Sequence, residues 1–114
     1  MHRLPRQIPY RQAMKMLLTG QRVTAQEALQ MGLINQVVAR EDLMTTAEHL
    51  AEEILECSPY ALRATKEAVL KGLDLPLDRA IKEVFPSMKA LWESEDYKEG
   101  PRAFAEKRKP PWRV

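Results

Sequence analysis

Cysteine is almost absent from this chain of 114 residues. Cys57 stands alone, so no internal disulfide can form and the stapled architecture of small secreted domains is excluded. Charge of one sign is also lacking. Eighteen Lys and Arg face sixteen Asp and Glu, a formal net charge of +2, too small to draw in nucleic acid or a membrane surface by bulk attraction. No apolar run is long enough to cross a bilayer, and the opening MHRLPRQIPYRQ lacks the apolar centre of a signal peptide. A reducing, soluble compartment is expected, with the cytoplasm as its location. Internal repeats, low-complexity tracts, phosphate loops, dinucleotide fingerprints and a Ser-His-Asp order are missing. His2 and His49 have no Cys, His or Asp neighbours at metal-ligand spacing, so no metal site is expected.

What is present is ordinary globular composition, 45% apolar and 30% charged, enough for one small domain. Helical periodicity dominates. Pro9 reads as a first-turn residue of a helix whose apolar side carries Ala13, Met14, Met16, Leu17 and Leu18 up to Gly20, a helix stop. Thr24 and Glu27 have capping-box spacing and open a short helix ending near Gly32. Leu33–Ala39 (LINQVVA) reads as the one strand. Leu43–Glu56 is an amphipathic helix with Leu43, Ala47, Leu50, Ala51, Ile54 and Leu55 on one stripe, and Glu48, Glu52, Glu53 and Glu56 off it. Ser58-Pro59 reads as N-cap plus first-turn proline, opening a helix to about Gly72 with Leu62, Val69 and Leu70 inward.

Leu73–Asp78 (LDLPLD) reads as a turn. A longer helix follows from about Leu77 to Trp92, carrying Ile81, Val84, Phe85, Met88, Leu91 and Trp92, which Pro86 should kink or split. Ser94 is a candidate cap for a short turn, Gly100-Pro101 a candidate start for the last helix, and Lys109-Pro110-Pro111 an extended end. A lone strand cannot satisfy its own backbone groups. It implies pairing with something outside the chain's own reading.

Four segments then carry a resemblance in order: RLPR at Arg3–Arg6; LTG at Leu18–Gly20 with the AxEALxxGLxNxVV-like run Ala25–Val38; SPYALRATKEAV at Ser58–Val69; and SED--EG--AF-EKR at Ser94–Arg108. Together they resemble the C-terminal part of the crotonase family, the enoyl-CoA hydratases and isomerases. The ending EGPRAFAEKRKPPW is similar to carnitinyl-CoA dehydratases and related bacterial enoyl-CoA hydratases. The resemblance implies a mainly α fold class: the C-terminal helical domain of the crotonase fold with one short strand, without the N-terminal β/α spiral. Residues 1–40 would be the end of the spiral core and residues 41–114 a helical trimerisation part. Met1 would be an internal methionine of a longer protein or the start of a truncated product.

The same resemblance implies an acyl-CoA thioester as substrate, with no further cofactor, and self-association as a trimer or hexamer. In the family, two backbone N–H groups stabilise the thioester enolate and two glutamates move water and proton. Both sets belong upstream, so no catalytic residue is expected on this chain. Two residues carry over from the family's CoA site. Phe104 matches an aromatic bordering the acyl pocket, and Lys107 matches a lysine that meets a CoA phosphate in a neighbouring subunit. Their i, i+3 spacing would place both on one helix face. The surrounding tail is basic, with Arg102, Arg108, Lys109 and Arg113, but too short and too poor in aromatics for nucleic acid. Glu27 reads as a structural cap, Glu52, Glu53 and Glu56 as a solvated face, and Cys57 as a structural thiol. The alternative to an enzyme fragment is a non-catalytic helical oligomerisation or interaction module.

Overall fold

A computed structural model describes residues 2–112; Met1 and Arg113, both named above, lie outside the described residues. The chain divides into two compact units, Met1–Thr46 and Ala47–Val114. Both are built of helices, and no helix among the described residues is long and apolar enough to cross a membrane.

The first unit holds α1 (Leu4–Gln7), α2 (Tyr10–Thr19) and α3 (Ala25–Gln30). Pro5 lies in the first turn of α1, where a missing N–H costs nothing. Pro9 is the N-cap of α2 and Gly20 its left-handed C-cap, with φ +65°. The capping box opens α3: the Thr24 hydroxyl accepts from the Glu27 N–H, and the Glu27 carboxylate accepts from the Thr24 N–H at 2.7 Å. These hydrogen bonds hold the Glu27 carboxyl below its ordinary pKa, as expected for a charged acceptor of a backbone N–H. The α3 end is a Schellman motif. Gly32 N–H donates to Leu29 O, Leu33 N–H donates to Ala28 O, and Gly32 sits at φ +76°.

That motif overturns the strand expected at Leu33–Ala39. Leu33 spends its N–H on α3, and Gln36–Ala39 follow without a ladder; no strand forms among the described residues. The β-propensity of Ile34, Val37 and Val38 is real, but a strand exists only with a neighbour to pair with.

α4 (Leu43–Leu55) begins in the first unit and continues into the second, which also holds α5 (Pro59–Gly72), α6 (Leu77–Ala80), α7 (Pro86–Glu93) and α8 (Glu95–Ala105). Ser58 caps α5 by accepting from the Ala61 N–H. Pro86 splits the expected Leu77–Trp92 helix outright, since Phe85 is forced extended at φ −74°, ψ 155°. Glu67 repairs the new end. Its carboxylate reaches from α5 to accept the Ser87 N–H at 2.8 Å in the first turn of α7, satisfying an orphan donor and facing the positive end of the helix dipole. α5 packs chiefly on α7.

Two expectations about α8 fail. It starts at Glu95 rather than at Gly100-Pro101, and Pro101 lies inside it. Glu95 and Asp96 suit the first-turn dipole, and ion pairs on either side of Pro101, Lys98–Glu95 and Arg102–Glu106, hold the turns around the one lost ladder bond. Ser94 does not cap with its side chain; its hydroxyl donates to Leu91 O, closing α7 instead.

The core is made of small residues. Ala13, Ala28, Ala64 and Ala103 are buried with Ile8 and Ser58, and α4 and α7 bury no residue. The predicted apolar stripe of α4 exists but is uncovered: Leu43, Leu50, Ile54 and Leu55 are all exposed. Val69 and Leu70, expected inward on α5, are exposed as well, while Leu62 is half-buried. Amphipathicity says which face wants cover; it does not supply the cover.

Candidate functional site

The two residues named from the sequence lie where α8 ends. Ser58 fixes the helix at its other extremity. It is 6% exposed, accepts from Ala61 N–H and donates to the Asp96 carboxylate at 2.6 Å, so one hydroxyl caps α5 and ties it to the first turn of α8. From there the helix runs to Ala105, with Ala103 buried on one side and Phe104 presented on the other at 87% exposure. The Phe104 ring is therefore open to solvent while its neighbour Ala103 is buried.

Lys107 is not on the α8 face. It follows the C-cap Glu106 and has a left-handed backbone, φ +53°. Lys107 N–H donates to Phe104 O at 3.2 Å and Arg108 N–H to Ala103 O at 3.0 Å, the same Schellman pair that closes α3. There the left-handed position is Gly32; here it is a lysine. The i, i+3 argument is therefore replaced by a turn argument. Phe104 is the carbonyl partner of Lys107, so one turn joins the two residues. A Cβ in this conformation costs roughly 1–2 kcal/mol, and such strain concentrates where a side chain must be aimed.

The charges around the turn are paired, with one exception. Arg108 bridges Glu99 and Glu106, which raises its already high pKa; Arg102 joins the same Glu106. Both arginines, Arg108 first, hold the Glu106 carboxyl below its usual range. Lys109 reaches Glu56 at 2.6 Å; this lowers the Glu56 pKa and raises that of Lys109. Lys107 has no ion pair among the described residues. Its ammonium is thus the uncommitted positive charge among the described residues of the tail, on a backbone held at the helix end.

The tail beyond it doubles back. The Trp112 indole N–H donates to Glu56 O at 2.6 Å, an acceptor at the exhausted C-terminal end of α4. The ring lies against Gly100, 3.5 Å from where a Cβ would stand. This strap was not read from the sequence; the signal available was the Gly100 opposite a terminal tryptophan, which only the fold places together. A groove of about 600 Å3 lies alongside, lined by Tyr60, Asp96, Glu99, Arg102 and Pro111 among others. Among the described residues no three His, Cys, Asp or Glu side chains gather as metal ligands.

Comparison with known proteins gives a consistent picture. The family model described as enoyl-CoA hydratase/isomerase matches residues 1–114. The chain is 44% identical over 110 residues to an (E)-benzylidenesuccinyl-CoA hydratase of Thauera aromatica, covering 96% of this chain and 43% of that protein. It is 36% identical to a carnitinyl-CoA dehydratase of Salmonella paratyphi A, covering 97% and 44%. The crystal structure of an enoyl-CoA hydratase/isomerase from Mycobacterium paratuberculosis superposes with a TM-score of 0.90 at 37% identity, over 97% of this chain and 44% of that one. An enoyl-CoA hydratase from Bacillus anthracis does so with a TM-score of 0.90 at 35% identity, over 97% and 43%. The chain spans less than half the length of the relatives it matches.

Proposed function

We propose, for a chain that belongs to the enoyl-CoA hydratase/isomerase family, that it forms the C-terminal helical part of an enzyme acting on acyl-CoA thioesters. Hydration of a 2-enoyl-CoA is the reaction of the whole enzyme. In this reading Phe104 borders the acyl pocket, and Lys107 meets a phosphate of coenzyme A bound by a neighbouring subunit in a trimer or hexamer. The observation that carries it is the α8 end: an unpaired lysine on a left-handed backbone, hydrogen-bonded through its N–H to the carbonyl of an almost fully exposed phenylalanine. A point charge without a carboxylate partner is available to a phosphate, and an exposed ring offers an apolar wall.

The chain by itself supplies binding surface and no reacting group. The purified chain is expected not to hydrate a short 2-enoyl-CoA, followed by loss of the conjugated thioester absorbance. Turnover that disappears on mutating a glutamate of this chain would overturn the reading.

The exposed apolar residues favour a second reading, a non-catalytic module that assembles with itself or with a full-length relative. The two separate on coenzyme A. Under the first, Lys107→Ala weakens coenzyme A binding in the assembled enzyme; under the second, assembly persists and coenzyme A has no effect on it.

A further inference from the structure

Three features of the tail converge on Lys107. Pro110 and Pro111 each fix φ near −65°, and Trp112 N–H closes onto Pro110 O at 3.1 Å, so the segment is short and stiff. Its far end is held at Glu56 by the Trp112 indole N–H on the carbonyl, and Lys109, next to its near end, reaches the carboxylate of the same residue. Its near end is held by Arg108 on Glu99. The Trp112 ring rests against Gly100, one turn before Phe104 on the same helix. A strap tied at both ends spans the turn that contains the left-handed lysine. A free helix end would shed that strain by unwinding its last turn, because terminal turns fray and an L-residue prefers negative φ.

We infer that Trp112 is a positioning residue for Lys107: its bond to Glu56 O and its contact with Gly100 keep the α8 terminus closed and the lysine left-handed, aimed at the coenzyme A phosphates. This rests on the reading of Lys107 as the phosphate partner. Gly100 takes part as the surface the ring rests on, close enough that a Cβ there would be in van der Waals contact with it.

Amide hydrogen exchange on the whole chain tests the strap. Trp112→Phe keeps an aromatic ring, smaller than the indole, and deletes the N–H; Trp112→Ala removes both and guards against a ring that stays by packing alone. Both variants should exchange the Lys107 and Arg108 amides faster, by about tenfold in Trp112→Ala, while the α5 amides stay unchanged. Unchanged exchange at 107 and 108 in both variants overturns the strap.

Calorimetric titration of the assembled enzyme carrying this chain, with coenzyme A and with pantetheine, which lacks the phosphates, tests the purpose. Trp112→Phe and Lys107→Ala should each weaken coenzyme A several-fold relative to pantetheine, with no further loss in the double variant. Additive losses would make Trp112 independent of Lys107 and refute the positioning role. An assembled wild-type enzyme that does not prefer coenzyme A over pantetheine overturns the phosphate reading, even where the exchange result upholds the strap.

Discussion

Replacing Lys107 by glycine should make the protein more stable while removing the charge that the proposed site uses. The two Schellman turns give the magnitude. At the end of α3 the left-handed position is Gly32, φ +76°; at the end of α8 it is Lys107, φ +53°. An L-residue in this region costs roughly 1–2 kcal/mol. Glycine removes that penalty but adds roughly 0.4–1 kcal/mol of unfolded-chain entropy, leaving a net gain of about 0.5–1 kcal/mol. Lys107→Ala deletes the same charge but keeps a Cβ on the strained backbone, so it should be near neutral. Gly32→Ala is the reciprocal change. Nothing lies within 4 Å of a Cβ built there, so its cost of about 0.5–1 kcal/mol is conformational rather than steric. In urea, with a slope of ~1–2 kcal/mol/M, each change moves the midpoint by about half a molar, upward for Lys107→Gly and downward for Gly32→Ala. A Lys107→Gly variant no more stable than Lys107→Ala, alongside a neutral Gly32→Ala, would refute the strain argument and with it the claim that Lys107 is held against its preference.

Ser58→Ala removes an N-cap and leaves the partly buried Asp96 carboxylate without its donor, so a loss of about 1–3 kcal/mol is expected in the same urea assay; a loss confined to a few tenths would mean that α5 and α8 are not tied there. Glu67 has its pKa lowered from 4.5 to about 2, first by the Lys71 hydrogen bond and then by the Ser87 N–H. A carboxyl depressed in the folded state stabilises above its unfolded pKa and loses that contribution as pH falls through the folded one. Stability should therefore decline between about pH 4.5 and pH 2 in the native protein, and Glu67→Gln should flatten that part of the profile; an unchanged profile would dismiss the cap on α7. The uncovered stripe of α4, Leu43, Leu50, Ile54 and Leu55, should drive association that Ile54→Glu weakens. Sedimentation showing a monomer with no dye-accessible apolar surface would contradict this.

Local codes were legible in the residues because their physics is local. The Thr24–Glu27 box, the Ser58-Pro59 start, the Gly20 stop and the break at Pro86 each rest on one or two turns of backbone, and each formed. So did the amphipathic stripe of α4. Three readings failed where the outcome depended on distant chain. Leu33–Ala39 had strand propensity without a partner strand. Pro101 looked like a helix start until Ser58 and the flanking ion pairs held α8 across it. Phe104 and Lys107 looked like neighbours on one helix until the helix closed one residue before the lysine.

By itself, then, the sequence determined where most helices begin and end, the start of α8 excepted, which faces are apolar, and which family the residues resemble. Only the tertiary structure decided that Lys107 stands left-handed and unpaired, that Trp112 returns to Glu56 and Gly100, and that Glu67 caps a helix other than its own. Those facts depend on which groups more than ten residues apart meet, and no periodicity or capping rule encodes that. The apolar faces the fold leaves open carry the same lesson. The sequence fixes their chemistry, whereas what covers them is a matter of contacts beyond any single helix.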